Sequence, residues 1–109
     1  MKNYAIVVEP GAESDLADIA GHIAEHYSVA KALAVMTKIE QAIDRLELFP
    51  NRGAHPKELL ENGIRDFREV FFKPYRILYR VVDDKVVVVM IVDGRRDMRA
   101  LLTRRLLGA

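Results

Sequence analysis

The stretch Val86 to Val92, VVVVMIV, has no polar side chain to turn toward water. As a strand it is apolar on both faces, which places it in the centre of a sheet rather than at an edge. A central strand needs a neighbour on each side, and the N-terminal segment is the one available to fill the second side. The stretch sits inside a longer run from Pro74 to Asp97, PYRILYRVVDDKVVVVMIVDGRRD, which alternates arginines with apolar residues, turns on two aspartates and ends in paired arginines. So much guanidinium beside a buried apolar strand should meet an anionic partner, phosphate or carboxylate.

At 109 residues and 12.4 kDa the chain is read as one domain, 1–109, with a single core. The longest apolar run falls far short of the roughly 20 residues that a spanning helix requires, and the N-terminus lacks the pattern of a signal peptide. The absence of cysteine removes disulfides and thiolate chemistry, and a cytoplasmic location is expected. The net charge of +1 conceals an asymmetry: residues 1–63 carry 6 basic and 10 acidic side chains, net −4, whereas residues 64–109 carry 11 and 6, net +5. An anionic partner would meet the second half.

Tyr4 to Val8 reads as a short strand ended by Glu9-Pro10-Gly11. From Ala12, apolar residues at Leu16, Ile19, Ala20, Ile23 and Tyr27 keep helical spacing, with Asp15 and Asp18 near the start. Ser28 is placed to cap a second helix whose apolar face is Ala32, Val35, Met36, Ile39, Ile43 and Leu46. Phe49-Pro50-Asn51-Arg52-Gly53 stops it, and residues 53–63 read as loop or a short helical turn. Three strands follow, Ile64–Phe72, Tyr75–Val82 and Val86–Val92, joined by Lys73-Pro74 and Asp83-Asp84 as an antiparallel meander. Met98 to Leu107 reads as a short basic amphipathic helix. The fold expected is α+β: an N-terminal strand, an antiparallel helical hairpin, a three-stranded antiparallel meander completing one sheet, and a short C-terminal helix.

Reactive groups are few. His22 and His26 stand four apart on a helix, but HIAEH is not HExxH and no third metal ligand follows, so no metal or cofactor is expected. The serines and threonines have no spaced histidine and acid, and no phosphate-cradling glycine motif occurs. What remains is arginine, concentrated after residue 64. Arg65 and Arg80 suit pairing with strand-edge acids such as Asp66, Glu69, Asp83, Asp93 and Asp97. Arg68, Arg76 and Arg96 lie on successive strands or just beyond one, so they could converge on one side of the sheet. Phe67, Phe71, Phe72, Tyr75 and Tyr79 could stack on bases, though aromatics at strand spacing usually fill a core.

LFPNRG at 48–53, GIRDFREVF, PYRILYRV and DGRRD in this order resemble the RelE/ParE superfamily, toxins of bacterial type II toxin–antitoxin (plasmid stabilisation) modules. The resemblance implies a cognate antitoxin with an acidic toxin-binding segment, a toxin–antitoxin hetero-oligomer, and one of two activities. RelE-like members cleave messenger RNA on the ribosome without a metal; ParE-like members inhibit DNA gyrase by binding. The ribonuclease pattern carries over to Arg68, Arg76 and Arg96, but its second basic position on that strand falls on Val70 and its C-terminal proton-transfer residue falls near Leu102. Leucine moves no proton, so the ParE-like reading is preferred, with the ribonuclease as the alternative and an inactive partner-binding domain as a third reading. Target-binding residues are then expected at Arg68, Arg76, Arg80, Arg95 and Arg96, and antitoxin-binding residues at Leu101, Leu102, Arg105 and Leu106 of the tail.

Overall fold

Strand β1 (Ala5–Val8) runs parallel to β4 (Lys85–Asp93), pairing Ala5 with Lys85 through Val8 with Val88, in a computed structural model that describes residues 3–108. On its other side β4 pairs antiparallel with β3 (Tyr75–Val82), which pairs with β2 (Arg68–Phe72), giving the order β1-β4-β3-β2. The all-apolar strand is therefore internal, with the N-terminal strand beside it. Helices α1 (Pro10–His26) and α2 (Val29–Asp44) form the hairpin between β1 and the meander; a turn of 3-10 helix (Arg45–Glu47), the single-turn α3 (Lys57–Leu60) and α4 (Met98–Leu106) complete the chain.

Each sheet face carries its own core. The hairpin side gathers Ala12, Ile39, Ile43 and Leu46 against Ile77, Tyr79, Val86, Val88 and Ile91. The other side packs Met98, Leu101 and Leu102 of α4 and Leu59 of α3 against Leu78, Val89, Met90 and Val92. Strict alternation would not place Val88 and Ile91 on one face and Val89 and Met90 on the other. A bulge makes it possible: Leu78 pairs with Met90 and Tyr79 with Val88, so Val89 is an extra residue opposite no partner.

Two element starts differ from the sequence reading by more than one residue. Pro10 ends the strand as expected, yet it also begins α1, because its fixed φ suits the first helical turn where no N–H is needed. Strand β2 starts at Arg68, not Ile64, because Ile64 and Phe67 pack into the second core beneath α3 and α4. Ser28 caps α2 by accepting a hydrogen bond from the Lys31 N–H at 3.0 Å. The meander turns through Asp83 at φ 56°, a left-handed conformation that a short polar side chain tolerates.

Where β1 leaves the sheet at Glu9, the edge of β4 is left bare, and Asp15 of α1 covers it by accepting the Ile91 N–H at 3.0 Å. At the opposite end, the fully buried Tyr79 fixes the loop after α2. Its hydroxyl donates to the Pro50 carbonyl at 2.7 Å and accepts the Gly53 N–H at 3.0 Å. Tyr79→Phe leaves both backbone groups buried and unpartnered, and should lower stability by about 1–3 kcal/mol in urea denaturation. An unchanged midpoint would show that water replaces the hydroxyl. Gly53 is dictated by the same contact, since a Cβ there would lie 2.7 Å from the Tyr79 hydroxyl and 2.7 Å from the Glu69 carbonyl oxygen.

Candidate functional site

Arg76 sits on the α4 side of β3 and is only 9% exposed. Its guanidinium donates to Glu58 through Nη1 at 2.9 Å and Nη2 at 2.8 Å, and to Glu69 through Nε at 2.7 Å. Glu58 comes from α3 and Glu69 from β2, and both are buried. The bidentate fork holds the Glu58 carboxyl down at about 2, against an ordinary 4.5. Glu69 receives a single bond and is shifted upward, because burial outweighs it. Arg76 itself is driven further toward its charged form by the two carboxylates. Gly94 closes the site from above: a Cβ at that position would lie 2.8 Å from Arg76 Cδ.

The other arginines divide into two groups. Arg95 binds Asp93, Arg99 grips Glu61 with bonds of 2.8–3.1 Å, and Arg105 makes two 3.0 Å bonds to Asp15. The Arg95 contact lowers the Asp93 carboxyl. Among the described residues, Arg45, Arg52, Arg65, Arg68, Arg80, Arg96 and Arg104 make no ion pair. Arg68 instead donates Nη1 to the carbonyls of Asn51 at 3.1 Å and Gly53 at 2.8 Å, clamping the loop that Tyr79 holds from within.

The arginines expected to bind a target do not converge. Arg76 is internal and fully engaged by carboxylates. Arg68 and Arg80 share a cleft at one end of the sheet, while Arg95 and Arg96 follow β4 at the other. Arg76 and Arg80, four residues apart on one strand, are separated by about 13 Å. Glu58, the residue that decides the fate of Arg76, lies in a segment with no strong periodicity and gave no signal in the sequence; Glu69 was visible as a strand-edge acid.

A family model described as "ParE toxin of type II toxin-antitoxin system, parDE" matches residues 6–98. Toxin ParE3 of Caulobacter vibrioides is 33% identical over 91 residues, 84% of this chain and 87% of that protein. The chain belongs to the ParE toxin family. Two solved structures share its fold: a chain of the chromosomal ParDE system of P. aeruginosa, with TM-score 0.69 and 20% identity over 83% of this chain and 95% of that one, and a chain of the RelBE2 toxin–antitoxin complex of Mycobacterium tuberculosis, with TM-score 0.56 and 23% identity over 85% and 93%. The RelE/ParE superfamily assignment and the α+β architecture both stand.

As a ParE-family toxin of a type II module, the chain departs from the sequence reading at its tail. Leu101 and Leu102 are 4% and 1% exposed, so they form core between α4 and the sheet and present no surface. Leu106 is half-buried against the same core, and Arg105 is tied to Asp15. The exposed apolar residue of the tail is Leu107. The aromatics fill the interior: Tyr79 is fully buried, Phe67, Phe72 and Tyr75 pack into one core or the other, and Phe71 faces solvent. The imidazoles of His22 and His26 lie 4.2 Å apart, with His26 Nδ1 bonded to the His22 carbonyl. No group of three or more His, Cys, Asp or Glu is placed to hold a metal ion among the described residues, and none of their helices is long and apolar enough to cross a membrane.

Proposed function

We propose that this ParE-family toxin inhibits DNA gyrase by binding rather than by catalysis, in the cytoplasm, and that a cognate antitoxin with an acidic toxin-binding segment neutralises it in a hetero-oligomer. The observation that carries this reading is the fate of Arg76. A ribonuclease of this superfamily would use that guanidinium on phosphate, whereas here Glu58 and Glu69 occupy it. The position matched to proton transfer, Leu102, is core. Target contact is assigned to the half-buried Arg68 and the exposed Arg80 at one end and to the exposed Arg95 and Arg96 at the other. Antitoxin contact on the tail is assigned to its outer surface, Arg105, Leu106 and Leu107. Purified toxin at micromolar concentration should block gyrase supercoiling, with activity restored by stoichiometric antitoxin; gyrase that runs unaffected sinks the proposal.

One observation favours the ribonuclease as a second reading. His22 and Tyr75, both able to transfer protons, line the same cleft as Arg96. Asp15, Asp18 and Asp93 line it too, and they cancel the positive charge that a phosphodiester would need. Primer extension after induction distinguishes the readings: intact transcripts beside blocked supercoiling support gyrase, and codon-aligned cuts support the ribonuclease. Absence of growth arrest on expression without antitoxin would instead support an inactive partner-binding domain.

A further inference from the structure

Strand β2 begins opposite Tyr79, so Arg80 to Val82 of β3 have no strand neighbour on that edge. The space beside them is a cleft whose polar wall is His55, Arg65, Asp66, Arg68 and Arg80. Arg65 and Arg80 are exposed and make no ion pair, Arg68 spends one nitrogen on backbone carbonyls, and Asp66 is the one carboxylate in the lining. His55 is oriented by the Phe67 carbonyl, which accepts from Nδ1 at 3.0 Å and leaves Nε2 as its remaining polar atom. Elsewhere in this fold acidic side chains neutralise Arg76, Arg95, Arg99 and Arg105. Here three guanidiniums meet one acid, and two of the cleft's side chains are held in place by the backbone before any ligand arrives.

We infer that this cleft is a binding site for the phosphates of a nucleic-acid backbone. Arginine offers planar paired donors that fit phosphate oxygens. The one ring in the lining is the His55 imidazole, already held by the Phe67 carbonyl, and no Phe, Tyr or Trp is there for a base to stack on, so contact is chiefly with the backbone and largely independent of sequence. An acidic peptide would satisfy the same charges, but peptides that dock tightly also seat large apolar anchors, and the apolar lining here is Val81 and Val82 at the rim. The loop at Arg52 and Gly53 extends the basic surface past the cleft, with Arg45 and Arg52 unpaired on its far side. The inference does not depend on gyrase being the target.

Fluorescence anisotropy of the purified full chain with a labelled 20-base-pair duplex and a 20-nucleotide single strand tests it. If three phosphates are neutralised, raising salt from about 50 to about 200 mM should weaken duplex binding about 40-fold. In Arg65→Ala/Arg80→Ala the same change should weaken it only about 3–4-fold, and affinity at low salt should fall at least about tenfold. Arg104→Ala, an unpaired arginine on α4, serves as the control and should change affinity less than about twofold. The wild-type salt slope reads the site even if the double variant folds poorly. Absence of binding to either oligonucleotide, an equal loss in the control variant, or displacement by polyglutamate at concentrations where free mononucleotide has no effect would each overturn the inference, the last in favour of an acidic peptide. Failure here would leave a positive supercoiling assay intact.

Discussion

Arg76→Met is expected to remove about 3–5 kcal/mol of folding stability, because it strands two buried carboxylates that the guanidinium now satisfies. Arg76→Lys should recover only part of this, since an ammonium cannot reproduce the fork on Glu58 and the Nε bond to Glu69 together. Replacing all three charges, as in Glu58→Leu/Glu69→Leu/Arg76→Met, should restore much of the loss. The pH dependence separates this account from a simple packing defect. Glu58, held at about 2 against 4.5, contributes stability that is fully present above its unfolded value and is lost as pH falls through the folded one, about 3 kcal/mol in all. Glu69 works in the opposite sense: its raised value makes the ionised form a burden that protonation relieves. Without Arg76 both carboxylates acquire the second behaviour. The variant should therefore gain more stability than the wild type as pH falls from about 7 to about 5. Urea midpoints at the two pH values read the difference; parallel curves for the two proteins would refute the buried ion triad.

The second large effect is expected at Leu102. Leu102→Ala should lose about 2–5 kcal/mol, as deletion of a fully buried aliphatic side chain does. The more informative substitution is Leu102→His, which puts a proton-transfer group where a superfamily ribonuclease would carry one. Because the side chain points into the core of Leu78, Met90 and Met98, the imidazole would be buried without a partner. The variant should be destabilised by a similar amount and should cleave no messenger RNA in a ribosome-dependent assay. A Leu102→His protein with wild-type stability and codon-aligned cleavage would show that the tail is catalytic ground after all.

Much of this architecture can be read from the chain because its strongest elements are regular. The doubly apolar β4, the helical spacing of the hairpin and the cap at Ser28 each have one satisfactory structural solution, and the place of β1 follows from β4 needing a second neighbour. The functional surface is less legible because an arginine looks the same in sequence whether it faces solvent or a buried acid. Arg76 and Arg80 stand in the same repeat, YRILYR, on the same face of the same strand, yet one is sealed by Glu58, 18 residues upstream, and the other is open. Which is which depends on α3 arriving over one end of β3, and a single-turn helix leaves no periodic trace. The tail leucines are ambiguous for a related reason: a short amphipathic helix shows that it has an apolar face, but not whether its own sheet or another protein covers it.

The unpaired Val89 gives β4 one residue of slack. Deleting it would leave Val88 facing the hairpin, Met90 the tail and Ile91 the hairpin again, which is the order of a regular strand. Chain length here can thus change by one without inverting anything downstream, so Asp93, Arg95 and Arg96 would keep their orientation through such a loss.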